Sequence, residues 1–576
     1  MTSLQEARQE DDISIVLCGQ AGQGVQTVEH LLTRIVKLSG HHVFATKEYM
    51  SRVRGGMNST TIRVASQHVA ALVNRMDVLV ALNGGAVAHL AERLSPETVI
   101  LAERAVLGEE DDLEAGTFFD LPFTDIAAAI GNKIYSNLVA VGAIANVLGL
   151  DLADVTGYVQ RFFAKKSEEI VEHNLEAARA GFEAAAQLEL PDGLRRRFAR
   201  GNKIRDEILV NGSEAVGLGA LAGGCDFVSS YPMSPSTGVL AFLAQRGRDL
   251  GVLAEQAEDE IAAINMAIGA WYAGARALAT TSGGGFALMT EGISLAGMIE
   301  TPAVVHVAQR PGPATGLPTR TEQGDLELVL YGGHGEFPRI ILAPGTLEQA
   351  FALTARAFDL ADEYQVPVFV LTDEYLVDSY YNLPAFDVPG AAIKKHVVKT
   401  SSDYLRYAAA ENGVSPRGIP GYGDGLVTVD SDEHDEGGHI TEDMDVRVAM
   451  TDKRLAKGET LKEAIVPPEL IGPRDYRNLV ICWGSTYHVV KESLARLDRD
   501  DTAMLHYSQV YPLAPETVDY ISRAERSVVI ESNATGQFRK LIRLHAGVDV
   551  DEGLVKYDGL SFAVEEVVEG LEEILS

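Results

Sequence analysis

Four stretches of this chain pair a reactive side chain with glycine or proline at a spacing that suits chemistry. In Tyr231-Pro232-Met233-Ser234-Pro235-Ser236-Thr237 the two prolines fix φ and push the residues before them toward extended conformations. The Ser234 hydroxyl is thereby carried on a stiff, non-helical loop suited to holding a ligand. Glu255-Gln256-Ala257-Glu258-Asp259-Glu260 is an acidic run leading into the nearly uncharged helical pattern of residues 261–273. Carboxylates complement the positive end of a helix, which accounts for the run as a solvated first turn. Glu260 alone adjoins the apolar segment, where burial raises a carboxyl pKa and makes a proton donor near neutral pH. On spacing, both readings of Glu260 stay open. Ser282-Gly283-Gly284-Gly285-Phe286 offers three glycines, room for a ring or a phosphate to approach the backbone. Finally, Arg310 and Arg320 flank a glycine- and proline-rich loop, and a guanidinium is the side chain that forks onto a carboxylate.

Each of these stretches follows a short strand pattern, at residues 227–229, 253–254, 277–281 and 303–308, and helical patterns at 213–221, 238–245, 261–273 and 287–298 separate them. Strand and helix alternating in this way predict an α/β fold whose ligands sit beyond the carboxyl ends of the strands.

A chain of 576 residues, 46% apolar with 55 glycines, is long enough for three or four such domains. It contains no run of eighteen apolar residues and begins with a polar, acidic stretch, which leads us to expect a cytoplasmic protein without a membrane span. The net charge of −33 argues against a nucleic-acid partner. Cys18, Cys225 and Cys482 lie far apart and form no CxxC pair, so neither a disulfide framework nor a cysteine-ligated cluster is expected within this chain.

At the N-terminal side, a strand at 13–17 runs into Gly19, Gly22 and Gly24 and then a helix at 25–39, an arrangement that cradles anions on backbone N–H groups. The spacing differs from the usual dinucleotide fingerprint, and Gly22 and Gly24 are read as candidate phosphate contacts. Arg52 and Arg54, beside Gly55-Gly56, are a second candidate pair, against the commoner outcome of a solvated loop. Pro191 ends the helical patterns of this part, and Arg195-Arg196-Arg197 reads as a charged linker. From 382 to 473 the chain looks irregular and acidic. There Asp432-Glu433-His434-Asp435-Glu436 with His439 reads as a solvated loop rather than a metal site. Gly423-Asp424-Gly425 is similar to the diphosphate and magnesium motif of thiamine enzymes, but no paired asparagine follows it. Strands and helices alternate again from 477 to 576.

The motifs together resemble one family. Residues 231–237, Glu258-Asp259-Glu260, Thr281-Ser282-Gly283 and the run 309–319 resemble the α subunit of 2-oxoacid:ferredoxin oxidoreductases, and Gly316-Leu317-Pro318-Thr319 most resembles the 2-oxoglutarate branch. Gly22-Gln23-Gly24 and Arg54-Gly55-Gly56 resemble the separate γ subunit of the same enzymes, here fused ahead of α. The resemblance implies a multi-domain α/β chain: a γ domain (1–190), a linker (191–207), a thiamine diphosphate pyrimidine-binding domain (208–385), an irregular connection (386–473) and a transketolase C-terminal-like domain (474–576). It implies that Glu260 contacts N1′ of the cofactor's aminopyrimidine and that Tyr231, Pro232, Met233, Ser282, Gly283 and Phe286 line the cofactor site. Ser234 and Arg310 would meet the substrate, with Arg320 toward a distal carboxylate, and Gly22, Gly24, Arg52 and Arg54 toward coenzyme A or a phosphate. Thiamine diphosphate would be shared with a β subunit that carries Mg2+ and a [4Fe-4S] cluster, coenzyme A would take the acyl group, and ferredoxin the electrons, in an (αβ)2 heterotetramer. The chain departs from the family pattern at Met233 for isoleucine, Ser234 for threonine and Gly284 for proline. Other readings are the same chemistry on pyruvate or a branched-chain 2-oxo acid, a dinucleotide-linked dehydrogenase using the Gly19 to Gly24 loop, and a non-catalytic scaffold.

Overall fold

Strands such as Ala303–Gln309 and Pro367–Asp373 are buried along their whole length, the pattern of parallel strands covered by helices on both faces. They form the centre of a seven-stranded sheet in the computed structural model, which describes residues 12–20, 24–50, 56–191, 193–195, 198–388 and 393–576. Gly22, Arg52 and Arg54 lie outside the described residues. The order is Gln509–Tyr511, Ile340–Leu342, Pro367–Asp373, Ala303–Gln309, Ala277–Thr281, Phe227–Ser230, Leu253–Gln256. Only Gln509–Tyr511 is antiparallel to its neighbour. The register sets Ser230 beside Gln256 and Thr281 beside Val307, so the four reactive stretches leave the sheet along one edge. Buried hydroxyls tie that edge together: Ser230 Oγ donates to the Thr280 carbonyl at 2.6 Å, and His306 is held between Thr280 and Thr372 at 2.8 Å each.

Two further sheets flank this one. Eight strands run in the order Thr117–Asp120, Val99–Ala102, Val78–Ala81, Asp12–Gln20, Met57–Ala65, His42–Glu48, Tyr380–Leu383, Ile208–Asn211, and five in the order Glu469–Ile471, Thr502–Tyr507, Asn478–Trp483, Arg526–Glu531, Glu552–Val555. Strands cross the divisions inferred from sequence. Tyr380–Leu383 and Ile208–Asn211, the two ends of the 208–385 segment, complete the first sheet, and Gln509–Tyr511 from the C-terminal segment edges the central one. We propose the sequence-derived segments as folding units that exchange these strands. Among the described residues no helix is long and apolar enough to cross a membrane.

Two expectations are corrected here. Gly283, Gly284 and Gly285 form the first turn of the helix Gly283–Met298 rather than an open loop. The 382–473 connection contains the helix Met444–Thr460, hidden in sequence by its polar composition. A buried charge places that helix: Glu300, 1% exposed, accepts from Lys453 Nζ at 2.7 and 2.9 Å and pairs with Lys457 Nζ at 2.6 Å. Burial opposes the charge, yet Lys457 and Lys453 hold the Glu300 carboxyl down at about 2. The acidic segment is anchored at Glu433 and His434, while Asp432, Glu436 and His439 stay exposed as a solvated loop would have them. Glu433 pairs with Arg447 and Arg454, and the His434 ring is buried against Tyr407 with centroids 4.0 Å apart.

The first and third sheets are joined by Arg63, whose side chain is fully buried. Its Nε and Nη2 reach Asp12 Oδ2 at 2.8 and 2.6 Å, and Nη1 and Nη2 reach the Glu492 carboxylate at 3.0 Å. Arg63→Met leaves Asp12 with Arg75 and Glu492 with Arg496 as remaining partners, and is expected to cost up to about 3 kcal/mol, read as a lower urea midpoint. Adding Asp12→Asn and Glu492→Gln should recover most of the loss; no recovery would mean that the guanidinium acts by packing alone. Acid sensitivity follows from the histidines. Burial holds His306 at about 3 and His506 at about 4. The unfolded chain binds these protons first, so stability present above the ordinary pKa of 6.5 is lost as pH falls below it. At pH 5 the loss is up to about 2 kcal/mol per histidine, and urea midpoints that match at pH 7 and pH 5 would refute it.

Candidate active site

Helix Glu260–Tyr272 begins with Asp259 as its N-cap, the carboxylate accepting from the Ala262 N–H at 2.7 Å. Asp259 thus does the work of complementing the helix end, Glu258 is exposed, and Glu255 belongs to the strand Leu253–Gln256. That frees Glu260 to turn inward. It is 3% exposed, and its Oε1 is buried without a hydrogen-bond partner. Burial pushes the carboxyl up; the adjacent Asp259 adds to this, while the Glu260 backbone N–H and Arg310 work against it. Of the two readings left open by spacing, the structure selects the buried acid.

The first turn of Gly283–Met298 packs against this group. A methyl at Gly285 would lie 2.1 Å from Thr281 Oγ1 and 2.6 Å from Glu260 Oε1, and one at Gly283 would lie 2.2 Å from the Asp325 carboxyl. The room left by those two glycines is therefore taken by the protein's own side chains. Gly284 differs: only the Ala314 carbonyl comes near, at 3.6 Å. Ser282, which precedes the turn, is fully buried with its Oγ unpartnered, and the helix has no side-chain cap. Phe286 is corrected, since its ring is fully buried edge-on to Phe369 at 5.5 Å and packs the core instead of facing a cofactor.

Arg310 joins the two halves of the edge. Its Nη1 donates to the Ser234 carbonyl at 2.8 Å, and its charge faces Asp325 and Glu260. The 231–237 loop is braced by Ser236 Oγ donating to the Met233 carbonyl at 2.8 Å, with Pro232, Met233 and Ser234 half-buried and Tyr231 40% exposed at the mouth. Arg320 stands apart from this group. Its Nη1 lies 3.4 Å from Glu48 of the first sheet, and it lines a cleft of about 80 Å3 with Lys47, Arg93, Glu374 and Lys556. Gly24, at φ 85°, caps the helix Val25–Leu38, and the space beside it is filled by the Asn137 amide, 2.0 Å from where a methyl would sit.

Sequence reasoning missed Asp325 and Thr281. Asp325 lies in an irregular stretch sixteen residues past Gln309, whose side chain accepts its N–H at 3.0 Å, and no periodicity marks it. Nor did spacing show what holds the loop that carries it. Gln323 donates from Nε2 to the Trp483 carbonyl at 2.9 Å and from its N–H to the Ser532 carbonyl at 2.6 Å, Asn533 Nδ2 donates to the Gln323 carbonyl at 3.2 Å, and Gln537 Nε2 to the Gly324 carbonyl at 2.7 Å. The 533–539 run therefore clamps the site from the third sheet.

Comparison with known proteins agrees with this geometry. Residues 218–453 match the family profile described as pyruvate flavodoxin/ferredoxin oxidoreductase, thiamine diP-bdg, and residues 14–184 match that of pyruvate ferredoxin/flavodoxin oxidoreductase. The chain is 30% identical to 2-oxoacid:ferredoxin oxidoreductase 2, subunit alpha, of Aeropyrum pernix over 98% of each chain. It is 32% identical to 2-oxoglutarate synthase subunit KorA of Methanothermobacter thermautotrophicus, over 63% of this chain and 97% of that one. Among solved structures it superposes with a TM-score of 0.93 at 29% identity, over 99% of this chain and 100% of the other, on a 2-oxoglutarate:ferredoxin oxidoreductase from Magnetococcus marinus with 2-oxoglutarate, coenzyme A and succinyl-CoA bound. With a thiamine diphosphate-binding domain behind a fused N-terminal domain, the chain belongs to the α subunits of the 2-oxoacid:ferredoxin oxidoreductases.

Proposed function

We propose that this chain, with a β subunit, catalyses the coenzyme A-dependent oxidative decarboxylation of 2-oxoglutarate to succinyl-CoA and CO2, passing the electrons to ferredoxin. The observation that carries it is Glu260, a carboxyl buried beside Arg310 with one oxygen free and pushed up by that burial. The residues fit the aminopyrimidine half of thiamine diphosphate: an orphaned acid for N1′, an unpartnered Ser282 hydroxyl, and open space at Gly284. Bound there, the cofactor supplies the nucleophilic carbon and the electron sink for the decarboxylation. Glu260 holds a proton toward N1′, and the Arg310 fork holds the substrate carboxylate next to the Ser234 loop. Coenzyme A and 2-oxoglutarate in the superposed Magnetococcus structure, and the 2-oxoglutarate synthase relatives, support that substrate over pyruvate.

The diphosphate, its Mg2+ and the [4Fe-4S] cluster are assigned to the β subunit; among the described residues no group of His, Cys, Asp and Glu is placed to hold a metal ion. Around the site the helices that start at Glu260 and Gly283 leave Ile261, Met266 and Leu288 exposed, and Tyr231 is exposed on the loop that carries Ser234, apolar groups suited to the β subunit. We place the (αβ)2 assembly in the cytoplasm.

Glu260→Gln in the assembled complex keeps the volume and removes the transferable proton. Exchange of the cofactor's C2 proton, followed by NMR at neutral pH, is expected to slow by at least about a hundredfold with the fold intact; normal exchange would remove Glu260 from the reaction. Substrate choice is tested at Arg320. It is the proposed partner of the distal carboxylate and must exchange Glu48 for it. Arg320→Ala should raise KM for 2-oxoglutarate on the order of tenfold to a hundredfold, with a much smaller effect on residual pyruvate turnover. Equal losses on the two acids would make Arg320 structural.

A further inference from the structure

Asp325 is a second carboxyl on this edge, half-buried as a residue but with its Oδ2 shut away from solvent, and nothing in the reading above uses it. Gly283 presses on one side of it, so closely that any side chain there would collide with the carboxyl at 2.2 Å. On another side the backbone N–H of Arg310 hydrogen-bonds it, and the Arg310 charge faces it. Its own N–H is fixed on Gln309 Oε1 at 3.0 Å, and Gln309 in turn donates to the Thr372 carbonyl at 3.1 Å. The group is therefore held rigidly between two elements of the site, with Oδ2 buried and unpartnered. The charged groups that face it are Arg310, from the end of the strand Ala303–Gln309, and Glu322, from its own loop. The helix behind it begins Gly283-Gly284-Gly285-Phe286 and brings no ionisable side chain in that turn. Glu260, which meets Gly285 of the same turn, acts on Arg310.

We propose that Asp325 couples substrate binding to proton uptake: ionised against Arg310 when the site is empty, it accepts a proton from solvent as the substrate carboxylate moves onto Arg310. This rests on the assignment of Arg310 to that carboxylate. One O–H bond forms and nothing else is made or broken. The reason is electrostatic. Two carboxylates on one guanidinium in a desolvated pocket cannot both stay ionised at low cost, and Glu322 adds a third negative charge. Asp325 is the group that gives way, because burial first, and Glu322 second, already hold it at about 7. Affinity for the 2-oxo acid should then fall about tenfold per pH unit above that value.

The test is calorimetry on the assembled, cofactor-loaded complex, using 2-hydroxyglutarate, which presents the carboxylates and has no carbonyl to be attacked. Titrations at about pH 8 in two buffers of different ionisation heat count the protons taken up. Wild type is expected to take up close to one proton per site, and Asp325→Asn none, with an affinity that no longer falls between about pH 7 and 8.5. Uptake that persists in Asp325→Asn overturns the proposal. So does a wild-type affinity that is flat over the same range, a measurement that needs no variant. Arg310→Ala separates the two assignments. Weak binding by that variant, together with persistent uptake in Asp325→Asn, sinks the role of Asp325 alone, whereas wild-type binding by Arg310→Ala removes the carboxylate site and the proposal with it.

Discussion

A carboxyl buried with one oxygen unpartnered persists only where packing denies it every alternative, and the architecture around Glu260 supplies that denial. The free energy of such burial favours the protonated acid, which is the form that can hold a proton toward a ring nitrogen. Turning outward to solvent would relieve the cost, and Asp259 removes the incentive for it. By capping the helix, Asp259 satisfies the first-turn N–H that Glu260 would otherwise serve. Opposite, Gly285 lets the neighbouring helix close onto Thr281 and Glu260, leaving space for the carboxyl and for no additional methyl group.

Holding that pocket in shape falls to one loop. Between Arg310 and Asp325 the chain touches all three sheets: Arg310 reaches the Ser234 carbonyl on the central sheet, Arg320 reaches Glu48 on the first, and Gln323 is bound to Trp483 and Ser532 on the third. The turn within it is tight. Gly316 has a φ of 51°, and a side chain there would lie 1.8 Å from the Pro311 carbonyl. A loop so pinned fixes its arginines relative to Glu260 only if the sheets themselves are fixed, which gives the buried Arg63 bridge a role at a distance from the chemistry. It joins the first sheet to the third, and both are anchors of the loop. Preorganisation here is a property of the assembly of sheets, more than of any one of them.

Local signals in the sequence were strong where the physics is local. The strand 277–281 matches the observed bounds, and the helices at 213–221, 238–245 and 261–273 are displaced by only a few residues at their ends, because apolar runs and glycine punctuation act over short distances. Glu260 stood out by its apolar context, and the prolines of the 231–237 loop by their backbone restriction. What stayed hidden depends on partners far along the chain. Met444–Thr460 is a helix whose lysines answer Glu300, some 150 residues away, and its polar sequence shows no apolar face. Three glycines looked like open space, but at Gly285 the space is filled by Thr281 and Glu260 and at Gly283 by Asp325, leaving only Gly284 open. Strand exchange between segments is equally invisible, since Tyr380–Leu383 reads the same whichever sheet it joins.

The three cysteines are free and buried. Cluster ligation needs thiolates that converge, and the three thiols here do neither. Burial pushes Cys18 and Cys225 up to about 12 and raises Cys482 as well, and all three are buried in separate strands or turns. Tyr231, Ile261, Met266 and Leu288, by contrast, stand exposed on the elements that carry Glu260 and its neighbours. Exposed apolar side chains on a chain of net charge −33 are costly to leave in water, and a neutral surface can cover them where charge repels an acidic one.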